Sequence, residues 1–390
     1  MKSNPKIVAS TINTAITTAI ALLLSGAALA DVTIGVVLPL TGPTSALGIP
    51  MKNAIGMWPT SIAGQKLNVI ILDDATDPTL ASKNARRLVS EDKVDMLMGS
   101  AATPAANAVA AIAAESGTMQ LSFSPIDVST AKAPWSYNMP QSTLVMSHAL
   151  VQHMKKNGVK TVGFLGYADA FGELFLRDMK IKMAGTDVKF VSEERFARTD
   201  TSVTAQALKV TAGNPDAIFI VASGSGAAMP HKALIERGYK GKIYQTHGAA
   251  SRDLMRVGGK DVEGGYVVAG PGVVAEQLPA NHPSKAVALK FVQDWEKTYG
   301  PNSRNTFAGH AYDASIILQK IIPIALKTAK PGTPEFRGAL KAAMENSGPI
   351  PLFHGTVNYT ATNHGGYTDD TGVIMRIVNG DWKLDSVTTK

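Results

Sequence analysis

Cysteine is absent from all 390 residues. That excludes disulfides, thiolate nucleophiles and cysteine-ligated zinc, so burial and hydrogen bonding alone must hold the fold. Charge is sparse at 18% of residues, and the excess of 38 Lys and Arg over 31 Asp and Glu is spread without a basic block. A net charge of +7 distributed in this way indicates no nucleic-acid partner. It favours encounter with an anionic solute only weakly, because physiological salt screens it. Catalytic signatures are missing too. No H-E-x-x-H occurs, no carboxylate pair stands out, and Ser223-Gly224-Ser225-Gly226 is neither G-x-S-x-G nor a P-loop and lacks the third glycine of a dinucleotide fingerprint. The expectation is a protein that is not an enzyme and carries no cofactor or metal.

Long apolar runs are confined to the N-terminus. Lys2 and Lys6 precede a largely apolar stretch over 7–24, and Ala28-Leu29-Ala30 fits an A-x-A cleavage site. Residues 1–30 read as a secretory signal peptide, with an uncleaved anchor as the rival reading, and the exported chain then begins at Asp31. Loss of Lys2 and Lys6 takes the net charge from +7 to +5 (7 − 2). No later run is long enough to span a bilayer.

What is present is an alternation of β-rich and helical runs. Strands are expected over 32–40, 67–72, 94–98 and 119–123, with helices over 46–62, 80–91 and 104–115 between them. The order predicts a parallel sheet covered by helices on both faces. After an aperiodic break over 132–141, a second set follows. Its strands are expected over 161–166, 188–193, 217–221, 242–245 and 265–269, with helices over 144–156, 171–183, 202–212 and 227–237. A Pro/Gly-rich loop over 271–283 leads into helices over 283–299, 307–327 and 334–344, and β-like runs over 356–359 and 373–378 close the chain around the Asn379-Gly380 turn signal. There is no repeat of 20–50 residues and no low-complexity segment. The fold class expected is α/β, in two doubly wound parallel-sheet lobes.

In open parallel sheets ligands sit beyond the carboxyl ends of the strands. The loops there carry small polar residues: Gly99 to Pro104, Ser122 to Ile126, Ser223 to Gly226, and Thr246-His247-Gly248. Thr103-Pro104 reads as an N-cap followed by the first helical residue, which would offer free N–H groups and a hydroxyl to a carboxylate, or serve only to cap the helix. His247 can bind a ligand, act as a base, or satisfy a loop hydrogen bond. Asp73-Asp74-Ala75-Thr76-Asp77-Pro78 offers either a hard-cation cluster or, through Asp77-Pro78, a helix start; it lacks the further oxygen ligands of a calcium loop.

Several segments in this order are similar to one family. Gly35-Val36-Val37-Leu38-Pro39-Leu40-Thr41-Gly42-Pro43, Leu47-Gly48, the Asp73–Pro78 run, Ala168-Asp169-Ala170-Phe171-Gly172 and Gly238-Tyr239-Lys240-Gly241 resemble the leucine/isoleucine/valine-type solute-binding proteins of ABC importers. The resemblance implies a type I periplasmic binding fold whose chain crosses between lobes three times and whose lobes close on the ligand by hinge motion. It implies one lobe from 31–142 plus 271–371 and the other from 143–270 plus 372–390. It also implies a monomer in the periplasm that delivers a small carboxylate to an ABC permease.

By the same likeness Thr103 holds the ligand carboxylate, and Ser124 and Ile126 supply backbone groups. Leu47, Ala101, Ala102, Phe171 and Phe307 line the pocket. Phe171 and Ser223 stand where the family has tyrosines. His247 stands where amino-acid binders place an acid for the ligand's ammonium. An imidazole cannot supply that charge, and burying an unpaired ammonium costs several kcal/mol. The expected ligand therefore has a carboxylate and no α-amino group, such as a benzoate or hydroxybenzoate, with a branched-chain or other amino acid as the alternative.

Overall fold

The computed structural model describes residues 31–388. The expected signal peptide lies outside them. Two sheets organise the chain. The first has the order β2-β3-β1-β4-β5-β6, formed by β1 (Val32–Leu38), β2 (Ser61–Ile62), β3 (Gln65–Asp73), β4 (Met96–Gly99), β5 (Gln120–Ser122) and β6 (Ser136–Asn138). All its pairings are parallel except the short β2–β3 hairpin. Central β1 is covered on both faces, so it reads as the near-continuous apolar run Val-Thr-Ile-Gly-Val-Val-Leu and not as an alternation. Helices α2 (Pro78–Ser90) and α3 (Thr103–Ser116) cover one face, packing Ala81, Ala85 and Leu88 with Val109, Ile112 and Ala113 over Val37 and Leu97. Helix α1 (Ser45–Ile55) lies elsewhere, buried through Leu47, Met51 and Ile55 in the main core.

The second sheet has the order β15-β14-β11-β10-β9-β7-β8. Its parallel part comprises β7 (Thr161–Tyr167), β8 (Lys189–Phe196), β9 (Ala217–Val221), β10 (Lys242–Gln245) and β11 (Tyr266–Ala269). Antiparallel β14 (Val373–Val378) and β15 (Asp381–Val387) extend it. Their turn places Asn379 and Gly380 at φ 54° and 70°, the left-handed pair that a two-residue hairpin needs. Helices α4 (Thr143–Lys156), α5 (Ala170–Met183), α6 (Thr204–Thr211), α7 (Ala228–Glu236) and α8 (Arg252–Gly258) accompany this sheet. Between β11 and β14 run α9 (Lys285–Tyr299), α10 (Thr306–Ala325), α11 (Pro334–Glu345) and the hairpin β12 (Ile350–Leu352) and β13 (Gly355–Val357). The Trp58 indole donates to the Ala311 carbonyl at 2.9 Å, tying the segment after α1 to α10. The fold is α/β in two parallel-sheet lobes, as expected.

The chain passes between the sheets after β6, after β11 and before β14. These passages are tied together. The Gln141 amide donates to the carbonyls of His354 at 3.1 Å and Thr371 at 2.8 Å, and Gly272 N–H donates to Phe353 O at 2.9 Å. His354 is itself fixed between Asp313 Oδ2 at 2.7 Å and Thr306 Oγ1 at 2.9 Å.

Some expected elements shift. The helix expected over 46–62 ends at Ile55, because the chain turns there and forms β2 through Ala63 and Gly64, both at positive φ (51° and 80°). The break expected over 132–141 contains the three-residue edge strand β6, too short to show a period. Helix α8 was not expected. Strand β8 runs to Phe196, beyond the expected end at Glu193, and that extension bears on the site.

Candidate ligand-binding site

The carboxyl ends of the strands from both sheets meet in one cleft. Its cavity is lined by Leu47, Ala101, Thr103, Phe123, Ser124, Phe171, Arg198, Ser223, His247, Gly248 and Phe307. It measures ≈ 10 Å³, about the room one water needs. The walls are in contact: a Cβ placed on Gly224 of the second lobe would lie 3.0 Å from Leu47 Cδ1 of the first. This is a closed arrangement, and an aromatic ring enters it only if the lobes part or the walls shift.

Eight of the expected residues line the cavity: Leu47, Ala101, Thr103, Ser124, Phe171, Ser223, His247 and Phe307. Ala102 and Ile126 do not. Both backbone groups of Ile126 are bonded to the Asn138 side chain, at 3.1 and 2.9 Å, and Ala102 N–H points to Ser100 Oγ at 3.4 Å.

The first-lobe wall begins at Gly99, where β4 passes so near β1 that a Cβ would stand 1.9 Å from Val37 O, and φ is +98°. Only glycine allows that approach. Beyond it, Ser100 Oγ donates to the buried Asp74 carboxylate at 2.6 Å. Burial pushes Asp74 up to about 6, against the hydrogen bonds from Ser100 and Thr76 that lower it.

The N-cap expected at Thr103 falls instead on Ala102, which has extended φ/ψ; Thr103 is already helical and makes no capping bond. Its hydroxyl donates to Pro125 O at 3.0 Å and meets Ser124 Oγ at 2.7 Å. The physical reason is that the loop after β5 brings a carbonyl and a second hydroxyl onto Thr103, a tertiary contact that outcompetes the local cap. The acidic run serves as a helix start. Asp77 Oδ1 caps α2, accepting from Thr79 N at 2.6 Å and Leu80 N at 2.9 Å, while Asp73 accepts from Leu40 N, Ala75 N and Thr41 Oγ1. Among the described residues no group of three or more His, Cys, Asp or Glu is placed to hold a metal ion.

The second-lobe wall holds the polar reserve. Asp169 Oδ1 caps α5, accepting from Phe171 N at 2.9 Å and Gly172 N at 3.3 Å. A Cβ on Gly172 would lie 1.9 Å from Tyr167 O, so glycine is what lets α5 start against the end of β7. Asp169 Oδ2 accepts from Arg198 Nε at 2.6 Å. The Arg198 guanidinium lies 4.1 Å over the Tyr167 ring and 5.8 Å from that of Phe171, and its Nη1 donates to Ser223 Oγ at 3.1 Å. Sequence reading missed Arg198. The rule that ligands sit past strand ends points to it, but a strand stopped at Glu193 leaves it in mid-loop.

His247 opens a short 3₁₀ turn after β10 that Thr246 caps through Gly248 N at 3.2 Å. It is 6% exposed and sits among the rings of Phe171 (6.0 Å), Phe175 (6.2 Å) and His310 (6.3 Å). Burial first, and the neighbouring His354 second, push its pKa down to about 3, so the imidazole is neutral. Its Nδ1 is buried without a hydrogen-bond partner among the described residues.

A cleft between two parallel-sheet lobes, lined by rings, hydroxyls and one guanidinium, is the architecture of a solute-binding clamp. The chain belongs to the periplasmic binding protein family, whose model matches residues 31–381; its members are solute-binding transport proteins that work with ABC permeases. An extracellular ligand-binding receptor from Rhodopseudomonas palustris HaA2 is 44% identical, with a TM-score of 0.89 over 92% of this chain and 100% of that one. A Leu/Ile/Val-binding protein homolog from Brucella melitensis is 21% identical over 87% of this chain and 89% of its own. An ABC-transporter solute-binding protein from R. palustris, solved in complex with benzoate, shares the fold at a TM-score of 0.79 and 18% identity, covering 92% of this chain and 96% of that one.

Proposed function

We propose that this protein captures a small organic carboxylate, an aromatic acid such as a benzoate or hydroxybenzoate, in the interlobe cleft and presents it to an ABC permease. The observation that carries the reading is the charge of the lining. No Asp or Glu lines the cavity, one arginine does, and His247 is neutral. Asp169, the acid bonded to the lining Arg198, is already engaged by that guanidinium and two helix amides. A ligand ammonium would be buried there without a partner, at a cost of several kcal/mol. The rings of Phe123, Phe171 and Phe307 favour a flat apolar body, and the benzoate complex of a fold neighbour is in keeping with such a ligand.

In this reading residues 1–30 are removed on export to the periplasm and the monomer acts there. The lobes are 31–142 plus 271–371 and 143–270 plus 372–390, and Thr103, Ser124, Phe171, Ser223, His247 and Phe307 meet the ligand. The second reading, an amino-acid binder, is favoured by the likeness to a Leu/Ile/Val-binding protein homolog. Thermal shift of the 31–390 chain with benzoate, 4-hydroxybenzoate and leucine separates the two, because a ligand specific to the folded state raises the melting temperature. A rise with leucine alone sinks the aromatic-acid reading.

A further inference from the structure

We infer that Arg198 is the residue that recognises the ligand's negative charge, so that the carboxylate is anchored on the second-lobe wall. This rests on the carboxylate reading above and goes further in saying which wall carries the charge selectivity.

The first-lobe hydroxyls are already spent. The single proton of Thr103 Oγ1 goes to Pro125 O at 3.0 Å, which leaves Ser124 Oγ as the donor in the 2.7 Å contact with Thr103. A carboxylate arriving there must break bonds that the wall makes with itself. Arg198 is the opposite case. A guanidinium has five N–H donors in a fixed plane, and here Nε and Nη1 are bonded while Nη2 makes no hydrogen bond among the described residues. Only 12% of its side chain is exposed, and it lines the cavity. A donor in that position is weakly hydrated and charged, the condition in which a hydrogen bond to an anion is strongest.

The group is also held in place before a ligand arrives. Asp169 fixes Nε, the Tyr167 ring fixes the plane, and Ser223 Oγ fixes Nη1. Tyr167 and Ser223 are in turn joined, the Tyr167 hydroxyl donating to Ser223 O and accepting from Ser223 N, each at 3.4 Å. The Asp169 carboxylate does not cancel the guanidinium charge completely, because its other oxygen faces the two amides at the positive end of α5.

The test is calorimetric titration of the 31–390 chain with benzoate and with benzamide, a neutral ligand of nearly the same shape. Wild type should prefer benzoate. Arg198→Gln should weaken benzoate by roughly 30-fold or more, the usual worth of a buried charge-assisted hydrogen bond, and change benzamide by no more than about 3-fold. Arg198→Lys keeps the charge but not the planar fork and should fall between, and it carries the test if the glutamine variant does not fold. An unchanged benzoate-to-benzamide ratio in either variant overturns the assignment of charge recognition to Arg198 while leaving the carboxylate reading intact. Failure of wild type to bind benzoate or 4-hydroxybenzoate instead sinks the carboxylate reading, and this inference with it.

Discussion

The two walls of the cleft are built from the same kind of loop at the same ends of parallel strands, yet they differ in how their polar groups are spent. In the first lobe Thr103, Ser124 and Pro125 satisfy one another, and the buried Asp74 holds Ser100. In the second, Arg198 keeps an unused donor edge and His247 an unpartnered Nδ1. A wall that closes its own hydrogen bonds gives shape; a wall that leaves some open gives recognition. A buried polar atom without a partner, such as His247 Nδ1, costs about 1–3 kcal/mol, and a bound ligand is the natural means of relieving that cost.

The comparison breaks most sharply at Asp169. Asp169→Ala removes the cap of α5 and the anchor of Arg198 together. It should cost about 3 kcal/mol in urea unfolding and loosen benzoate binding as well. A loss of stability with affinity unchanged would show that the guanidinium needs no anchor.

Acid should act with opposite signs on different buried groups. His231 and His247 have folded pKa values pushed down to about 4 and about 3 by burial. Their neutral forms stabilise the fold fully above the unfolded value near 6.5, and that stability is lost as pH falls below it. Asp74, raised to about 6, works the other way, penalising the fold above pH 6 and relieving it as pH falls toward 3.8. The histidines prevail between pH 7.5 and 5. Each contributes a loss of about 2 kcal/mol over that range, so His231→Phe, remote from the cleft lining, should shrink the wild-type loss by about that amount in denaturation curves at the two pH values. An equal loss in the variant would mean that His231 titrates normally.

Thr103→Val tests the self-satisfied wall. It leaves Ser124 Oγ and Pro125 O short of a partner and should cost about 1.5 kcal/mol of stability, with benzoate and benzamide weakened alike. Selective loss of benzoate would return the carboxylate to the first lobe. The smallest effect is expected at the passages between lobes: Gln141→Leu removes two hydrogen bonds to backbone carbonyls and should lower stability by about 1 kcal/mol. Small-angle scattering of the variant without ligand should show a more open average shape.

How far the site could be read in advance varied from residue to residue. Ser223 could be placed on the cleft because it follows β9, whose run Ala-Ile-Phe-Ile-Val is wholly apolar, and His247 because it follows the expected strand over 242–245; Phe171 was placed there by the family resemblance. Arg198 could not, since β8 is half exposed and reads Lys-Phe-Val-Ser-Glu-Glu-Arg-Phe, with polar residues up to its end. Thr103 lines the cavity but stands one step further into its helix than expected, because a cap is a local preference worth about 1 kcal/mol and contacts with Ser124 and Pro125 decided otherwise.

By itself the sequence determined the alternation of strands and helices, the double parallel-sheet architecture and the absence of cysteine chemistry. These follow from periodicity and composition, which act over a few residues at a time. Only the tertiary structure decided which polar groups are spent and which remain available, because that depends on partners from segments far apart: Asp169 with Arg198, Thr103 with Pro125, and Gln141 with His354 and Thr371. Local pattern sets where a side chain stands, and hydrogen-bond satisfaction, a property of the whole fold, sets what it is still free to bind.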